Sequence, residues 1–122
     1  MTKERIALGK LGEDLARRRL KALGYRILEK NYRCPLGEID LIARDGDVLV
    51  FVEIKTRKDQ SFGPAKEAVT RKKQTQLSKV ALAYMKSKKL WGRSARFDVV
   101  AIEHGDGTGE VEIIQDAFEL AY

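Results

Sequence analysis

The segments Gly37-Glu38-Ile39-Asp40 and Val52-Glu53-Ile54-Lys55 set three carboxylates and one ammonium into apolar runs that otherwise read as core strands. Burying such charges is costly unless something pairs them, and a bound divalent metal would do so. Asp45-Gly46 between the two segments is a preferred pair for a two-residue hairpin turn, which sets Arg44 opposite Asp47. Extended along the ladder, this register puts Asp40 opposite Phe51 and Glu38 opposite Glu53. Side chains alternate across a strand, so Glu38, Asp40, Phe51, Glu53 and Lys55 are expected on one face, with Asp40 and Glu53 diagonal neighbours roughly 7 Å apart. Two carboxylates directly opposed destabilise a ladder unless a cation lies between them.

The flanking sequence supplies the layers of such a sheet. A helix is expected from 2 or 3 to 23, with Gly24 as its left-handed stop and a basic last turn that complements the helix dipole. Strands are expected at 25–33, 37–44 and 47–55. Val48-Leu49-Val50-Phe51-Val52 is continuously apolar, as befits a central strand covered on both faces. A short helical turn at 65–69 precedes a helix from an N-cap at Thr70 to about Ser87, whose apolar stripe is Leu77, Val80, Ala81 and Tyr84. Lys73 falls on that stripe near the helix N-terminus and projects toward the sheet, whereas Arg71 and Lys72 read as surface charges. Strands at 96–102 and 111–114 close the chain around a glycine-rich turn at 105–109. That turn lacks the Gly-Lys-Ser/Thr of a phosphate loop, and His104 beside it has no partner motif.

Composition narrows the class. The 122 residues suit one domain spanning 1–122, and no apolar run approaches the ~20 residues a membrane helix needs. The opening Met1-Thr2-Lys3-Glu4-Arg5 has no secretory apolar stretch, and a lone cysteine, Cys34, forms no internal disulfide, so a cytoplasmic location is expected. A net charge of +6 favours an anionic partner. Residues 66–96 carry ten Lys or Arg against one acid, and residues 97–122 carry seven acids and no Lys or Arg. One phosphate-facing side and one solvated acidic side would produce that split.

Two acids outside the central segments remain open. Glu13 sits at the edge of the sheet-facing side of the first helix. It either snorkels to water or pairs with Arg17, or it reaches the site as a fourth acid. Asp98 interrupts an apolar strand and reads as a structural residue bonded to Arg96 or to backbone in preference to a site residue.

Asp40 followed by Glu53-Ile54-Lys55, with an acid on the preceding helix, resembles the PD-(D/E)XK nuclease superfamily. Leu11-Gly12-Glu13, Asn31-Tyr32-Arg33, Gly37-Glu38-Ile39-Asp40-Leu41-Ile42, Val50 through Arg57, Phe62-Gly63 and Arg96-Phe97-Asp98 together look like the YraN-like family of small bacterial proteins. The resemblance implies an α/β, restriction-endonuclease-like fold: a mixed central sheet flanked by helices in the order α-β-β-β-α-β-β. It implies Mg²⁺ or Mn²⁺ held by Asp40, Glu53 and the main-chain carbonyl of Ile54. Lys55 would orient or deprotonate the attacking water, and Glu13, similar to the helix acid of Holliday junction resolvases, would bind metal through water or a second ion. Glu38 would be an extra ligand or base, and Lys73 and Arg57 phosphate clamps. The expected activity is hydrolysis of phosphodiester bonds in branched or structured DNA, by a homodimer if two strands are cut symmetrically. The alternative is a catalytically silent nucleic-acid-binding module with the same fold.

Overall fold

A computed structural model describes residues 3–57, 63–90, 92–103 and 110–120. Helix α1 (Lys3–Ala22) leads into strands β1 (Arg26–Cys34), β2 (Gly37–Asp45) and β3 (Val48–Arg57). A 3₁₀ turn (Ala65–Ala68) and helix α2 (Arg71–Ser87) follow, and β4 (Ala95–Glu103) and β5 (Glu110–Phe118) complete the chain. The five strands lie side by side in sequence order, antiparallel except for the parallel pair β3 and β4. A parallel pair needs a crossover connection, and the segment carrying α2 supplies it.

The sheet separates two cores. Ile42, Phe51, Phe97 and Val99 pack beneath α2 against Leu77, Val80, Ala81 and Tyr84. On the other face Leu41, Val50, Val52, Val100 and Ile102 pack against Ala16 and Leu20 of α1. This double burial is what the unbroken apolar run in β3 anticipates. Gly12 lets α1 approach closely, since a Cβ there would stand 2.7 Å from Thr56 Oγ1 and 3.3 Å from Ile102 Cδ1. Both helix boundaries expected from capping residues are present. Gly24 sits at φ +95° with Tyr25 N–H donating back to Leu20 O, and the Thr70 hydroxyl accepts from Lys73 N–H.

The β2–β3 register differs from the expected one. Asp45 pairs with Val48 and Ile42 with Phe51, so Gly46-Asp47 forms the loop and Arg44 lies opposite Leu49, not opposite Asp47. Gly46 takes φ +60° at the first loop position, and Asp45 stays in the strand because its carboxylate receives the Arg96 guanidinium at 2.8 Å. The shift changes the paired sum by two, which preserves the shared faces over the paired residues 41–45 and 48–52, while the expected face of Glu38 is lost where β2 departs from alternation beside Asp40. It places Phe51 opposite Ile42 in place of Asp40 and removes the expected opposition of Glu38 and Glu53.

Strand β5 runs four residues beyond the expected 111–114. Its extension is held by tertiary contacts: Phe118 stacks on Phe97 with ring centroids 4.7 Å apart, across a register shift at Asp98. Asp116 adopts φ +51° there and donates its N–H to Asp98 Oδ1 at 3.0 Å. His104 and the glycine-rich turn at 105–109 lie outside the described residues. No helix among the described residues is long and apolar enough to cross a membrane.

Candidate carboxylate site

Regular alternation fails in β2 where the site begins. Ile39 and Ile42 both pack beneath α2, whereas Leu41 and Ala43 face α1, so the strand changes face next to Asp40. Across the β1 edge the residue at the same level, Asn31, holds φ +50°. Local distortions of this kind re-aim side chains beside functional sites. Here the Asp40 side chain turns along the sheet, and its Oδ2 accepts the Ile54 N–H at 2.8 Å. One carboxylate oxygen therefore supports the β3 backbone.

Glu53 is 8% exposed and hydrogen-bonds Asp40 through its side chain. Its carboxyl is pushed up to about 8 from an ordinary 4.5, first by burial and then by the hydrogen bond and negative charge of Asp40. Two cations oppose that rise, Lys73 from α2 and Lys55 from β3. The four side chains thus interact electrostatically: the Glu53 carboxyl lies beside Asp40 and feels the ammonium groups of Lys73 on α2 and Lys55 on β3. The sequence anticipates Lys73 pointing to the sheet through its helical phase with Leu77, and it does so.

The remaining site residues are distributed differently. Glu38 lies opposite Arg33 on β1 and forms an ion pair with it, Nε to Oε2 3.4 Å, at the rim of a hollow that Lys73 also lines. Glu38 is therefore paired with a cation and not set against Glu53. Glu13 is half-buried on α1, against the sheet face opposite α2, beside the close approach of Gly12 to Thr56. Arg17 pairs with Asp14, not with Glu13. Arg57 is engaged elsewhere: its Nη1 donates to Gly63 O at 2.8 Å and its Nη2 lies 3.6 Å from Glu103 Oε1, with the side chain 16% exposed. It is tied to the chain that follows β3, and the cations acting on Glu53 do not include it. Lys72, which reads in the sequence as a surface charge, lines a second hollow with Gln76 and Lys79. The spacing of 72, 76 and 79 by four and three residues is the sequence signal for that shared stripe.

Asp98 is structural. It is fully buried, its Oδ1 accepts from Arg96 Nε and Asp116 N–H, and its Oδ2 accepts from the Tyr25 hydroxyl at 2.7 Å. Tyr25 in turn accepts from Arg96 Nη2 and Gln115 Nε2, and burial and Asp98 together raise its phenol above the ordinary value. This network joins the start of β1 to β4, β5 and the end of β2.

Among the described residues no group of three His, Cys, Asp or Glu side chains surrounds a common point. The donor set of Asp40 and Glu53 nevertheless fits Mg²⁺ or Mn²⁺: both offer hard oxygen, and Mg²⁺ commonly takes one or two protein carboxylates and fills its remaining positions with water or phosphate oxygen. A dication would also offset the negative charge of Asp40 that helps raise the Glu53 carboxyl.

The fold and site define a mixed α/β protein with two neighbouring carboxylates on its adjacent strands β2 and β3. The chain matches the model of uncharacterised protein family UPF0102 over residues 12–102 and belongs to that family, in agreement with the YraN-like motifs of its sequence. It is 50% identical over 119 residues to a UPF0102 protein of Syntrophus aciditrophicus, covering 98% of this chain and 94% of that one. A UPF0102 protein of Geotalea daltonii is 54% identical over 116 residues, covering 94% and 91%. One from Moorella thermoacetica is 47% identical over 120 residues, covering 97% and 100%.

Proposed function

We propose that this protein is a divalent-metal-dependent phosphodiesterase of nucleic acid, acting on branched or otherwise structured DNA. The observation that carries the reading is the buried Glu53 carboxyl beside the half-buried Asp40, with the charges of Lys73 and Lys55 acting on it. A purely structural sheet gains nothing from a buried carboxylate set beside a second one. The polypeptide arrangement resembles that implied by the PD-(D/E)XK motif.

In this reading Asp40, Glu53 and the Ile54 carbonyl hold Mg²⁺ or Mn²⁺, which when bound polarises a phosphate and acidifies water. Asp40 does so with one oxygen, because the other keeps Ile54 in place. Lys55 orients the attacking water and offsets charge developing on phosphorus. Lys73, in the first turn of α2, meets a phosphate oxygen together with the free N–H groups of the helix start. Glu38 acts from the rim, and Glu13 enters only through an intervening water or a second ion. Symmetric cutting of two strands would require a homodimer.

The test is cleavage of single-stranded, duplex, flap and four-way-junction DNA, and of RNA, with Mg²⁺, Mn²⁺ or EDTA. Cleavage that requires metal and favours the branched forms is expected. A catalytically silent binding module accounts equally for the meeting of only two carboxylates among the described residues, and it predicts binding with no cleavage of any substrate. Lys55→Ala is expected to lower turnover on the order of 100-fold or more while metal affinity is retained, as for loss of a preorganised electrostatic group. A variant that cleaves normally once metal is saturating would make Lys55 structural. Lys73→Ala is expected to weaken binding to all sequences and make the salt dependence shallower by about one logarithmic unit. An unchanged slope would remove Lys73 from the phosphate contacts.

A further inference from the structure

We infer that a basic trough between α2 and the turn at 35–36 binds one strand of nucleic acid, with its phosphates on Lys72 and Lys79 and its bases against Leu36. The inference rests on the nuclease reading for the direction of the strand, toward the carboxylate pair, and on separate residues for the binding.

Two hollows form the trough. One, of about 590 Å³, lies between Pro35 and Leu36 on one side and Lys72, Thr75 and Lys79 on the other. The second, of about 430 Å³, continues past Cys34 and Gly37 to Glu38 and Lys73. Gln76 is a wall of both. The turn is seated on α2 at this point through Gly37, which adopts φ +145° and leaves no room for a side chain: a Cβ would stand 2.9 Å from Gln76 Nε2 and 3.2 Å from Val80 Cγ2. The trough is therefore set by packing of the β1–β2 turn on the helix and leads to Lys73, whose charge acts on Glu53 of β3.

Its walls differ chemically. The helix wall carries Lys72, Lys73 and Lys79, none in an ion pair among the described residues, while the single acid of the lining, Glu38, is matched by Arg33. The opposite wall ends in Pro35 and Leu36, and Leu36 is 51% exposed. A strand of nucleic acid has the complementary composition, with regularly spaced anions along one side and flat apolar faces on the other that pack against side chains such as Leu. Lys72 and Lys79 are seven residues apart on one helix stripe, ~10 Å along the axis, which matches about three stacked nucleotides of a strand.

The test is fluorescence anisotropy of a labelled single-stranded oligonucleotide titrated with full-length protein in EDTA at several salt concentrations, so that cleavage does not intervene. The Lys72→Ala/Lys79→Ala double variant is expected to lose roughly tenfold in affinity and to flatten the dependence of log K on log salt by about 1.4, two single-strand contacts. Leu36→Ser is expected to lower affinity with the wild-type slope retained. Lys10→Ala/Arg18→Ala, which removes the same charge from α1, is expected to leave the slope unchanged. A wild-type slope for the Lys72→Ala/Lys79→Ala variant, wild-type affinity for Leu36→Ser, a control pair that loses as much, or displacement of the oligonucleotide by polyglutamate at equal charge concentration would each overturn the trough. Normal metal-dependent cleavage alongside any of these would leave the nuclease reading standing. Failure of the wild-type protein to bind or cut any nucleic acid would overturn both.

Discussion

Asp98→Ala is expected to lower the free energy of unfolding by about 3–5 kcal/mol, the cost of breaking a buried pair and leaving its partners without a counter-charge. Asp98 is 0% exposed and is the common acceptor for Arg96, Tyr25 and the Asp116 backbone. Its removal leaves the Arg96 guanidinium, 18% exposed, with Asp45 as its remaining carboxylate and frees the left-handed backbone at Asp116. Tyr25→Phe removes a single hydroxyl from the same network and is expected to cost less, about 1–3 kcal/mol. Urea unfolding followed by circular dichroism measures both. A loss below about 1 kcal/mol for Asp98→Ala would mean that solvent replaces the network without penalty.

The second large effect is on the pH dependence of stability. The Glu53 carboxyl is raised to about 8 in the folded chain from an ordinary 4.5, by burial first and by Asp40 second. Between those values the native state holds a proton that the unfolded state releases, so this group makes stability fall as pH rises through the window. Its contribution is fully present below about 4.5 and is lost by about 8. The slope is at most about 1.4 kcal/mol per pH unit, the value for one proton. Glu53→Gln keeps a neutral donor facing Asp40 and is expected to abolish this component, so that it surpasses wild type most at the alkaline end. Chemical denaturation of both proteins from pH 4.5 to 8.5 isolates the term as a difference. Parallel profiles would show that Glu53 does not hold the proton.

Much of this organisation is legible in the chain itself. The helices are announced by Gly24 and Thr70, the central strand by its unbroken apolar run, and the approach of Lys73 by its phase with Leu77. The shared face of Glu53 and Lys55 follows from alternation along β3, and a register shift of two keeps Phe51 on the face of Ile42. What local rules miss are choices made by distant partners. Asp45-Gly46 reads as a turn by propensity, yet Arg96, 51 residues away, holds Asp45 in the strand. The face change beside Asp40 has no local signal beyond the charge itself. Arg57 is recruited by Gly63 and Glu103, a choice no local rule contains, while Lys72 is exposed as expected and packing of the β1–β2 turn on α2 makes its surface one side of a hollow. The extension of β5 rests on the Phe97–Phe118 stack and the Asp98–Asp116 contact, neither of which a period-two pattern contains.

The central claim is that Asp40 and Glu53 together hold a divalent ion. Isothermal titration of Mn²⁺ into wild type, Asp40→Asn and Glu53→Gln near pH 7, in two buffers of different ionisation enthalpy, tests it directly. Wild type is expected to bind with release of close to one proton per ion, because the cation displaces the proton held by Glu53. Both variants are expected to lose at least about tenfold in affinity, and Glu53→Gln is expected to release no proton. Equal affinity in all three proteins, or binding with no proton released from wild type, would contradict the assignment.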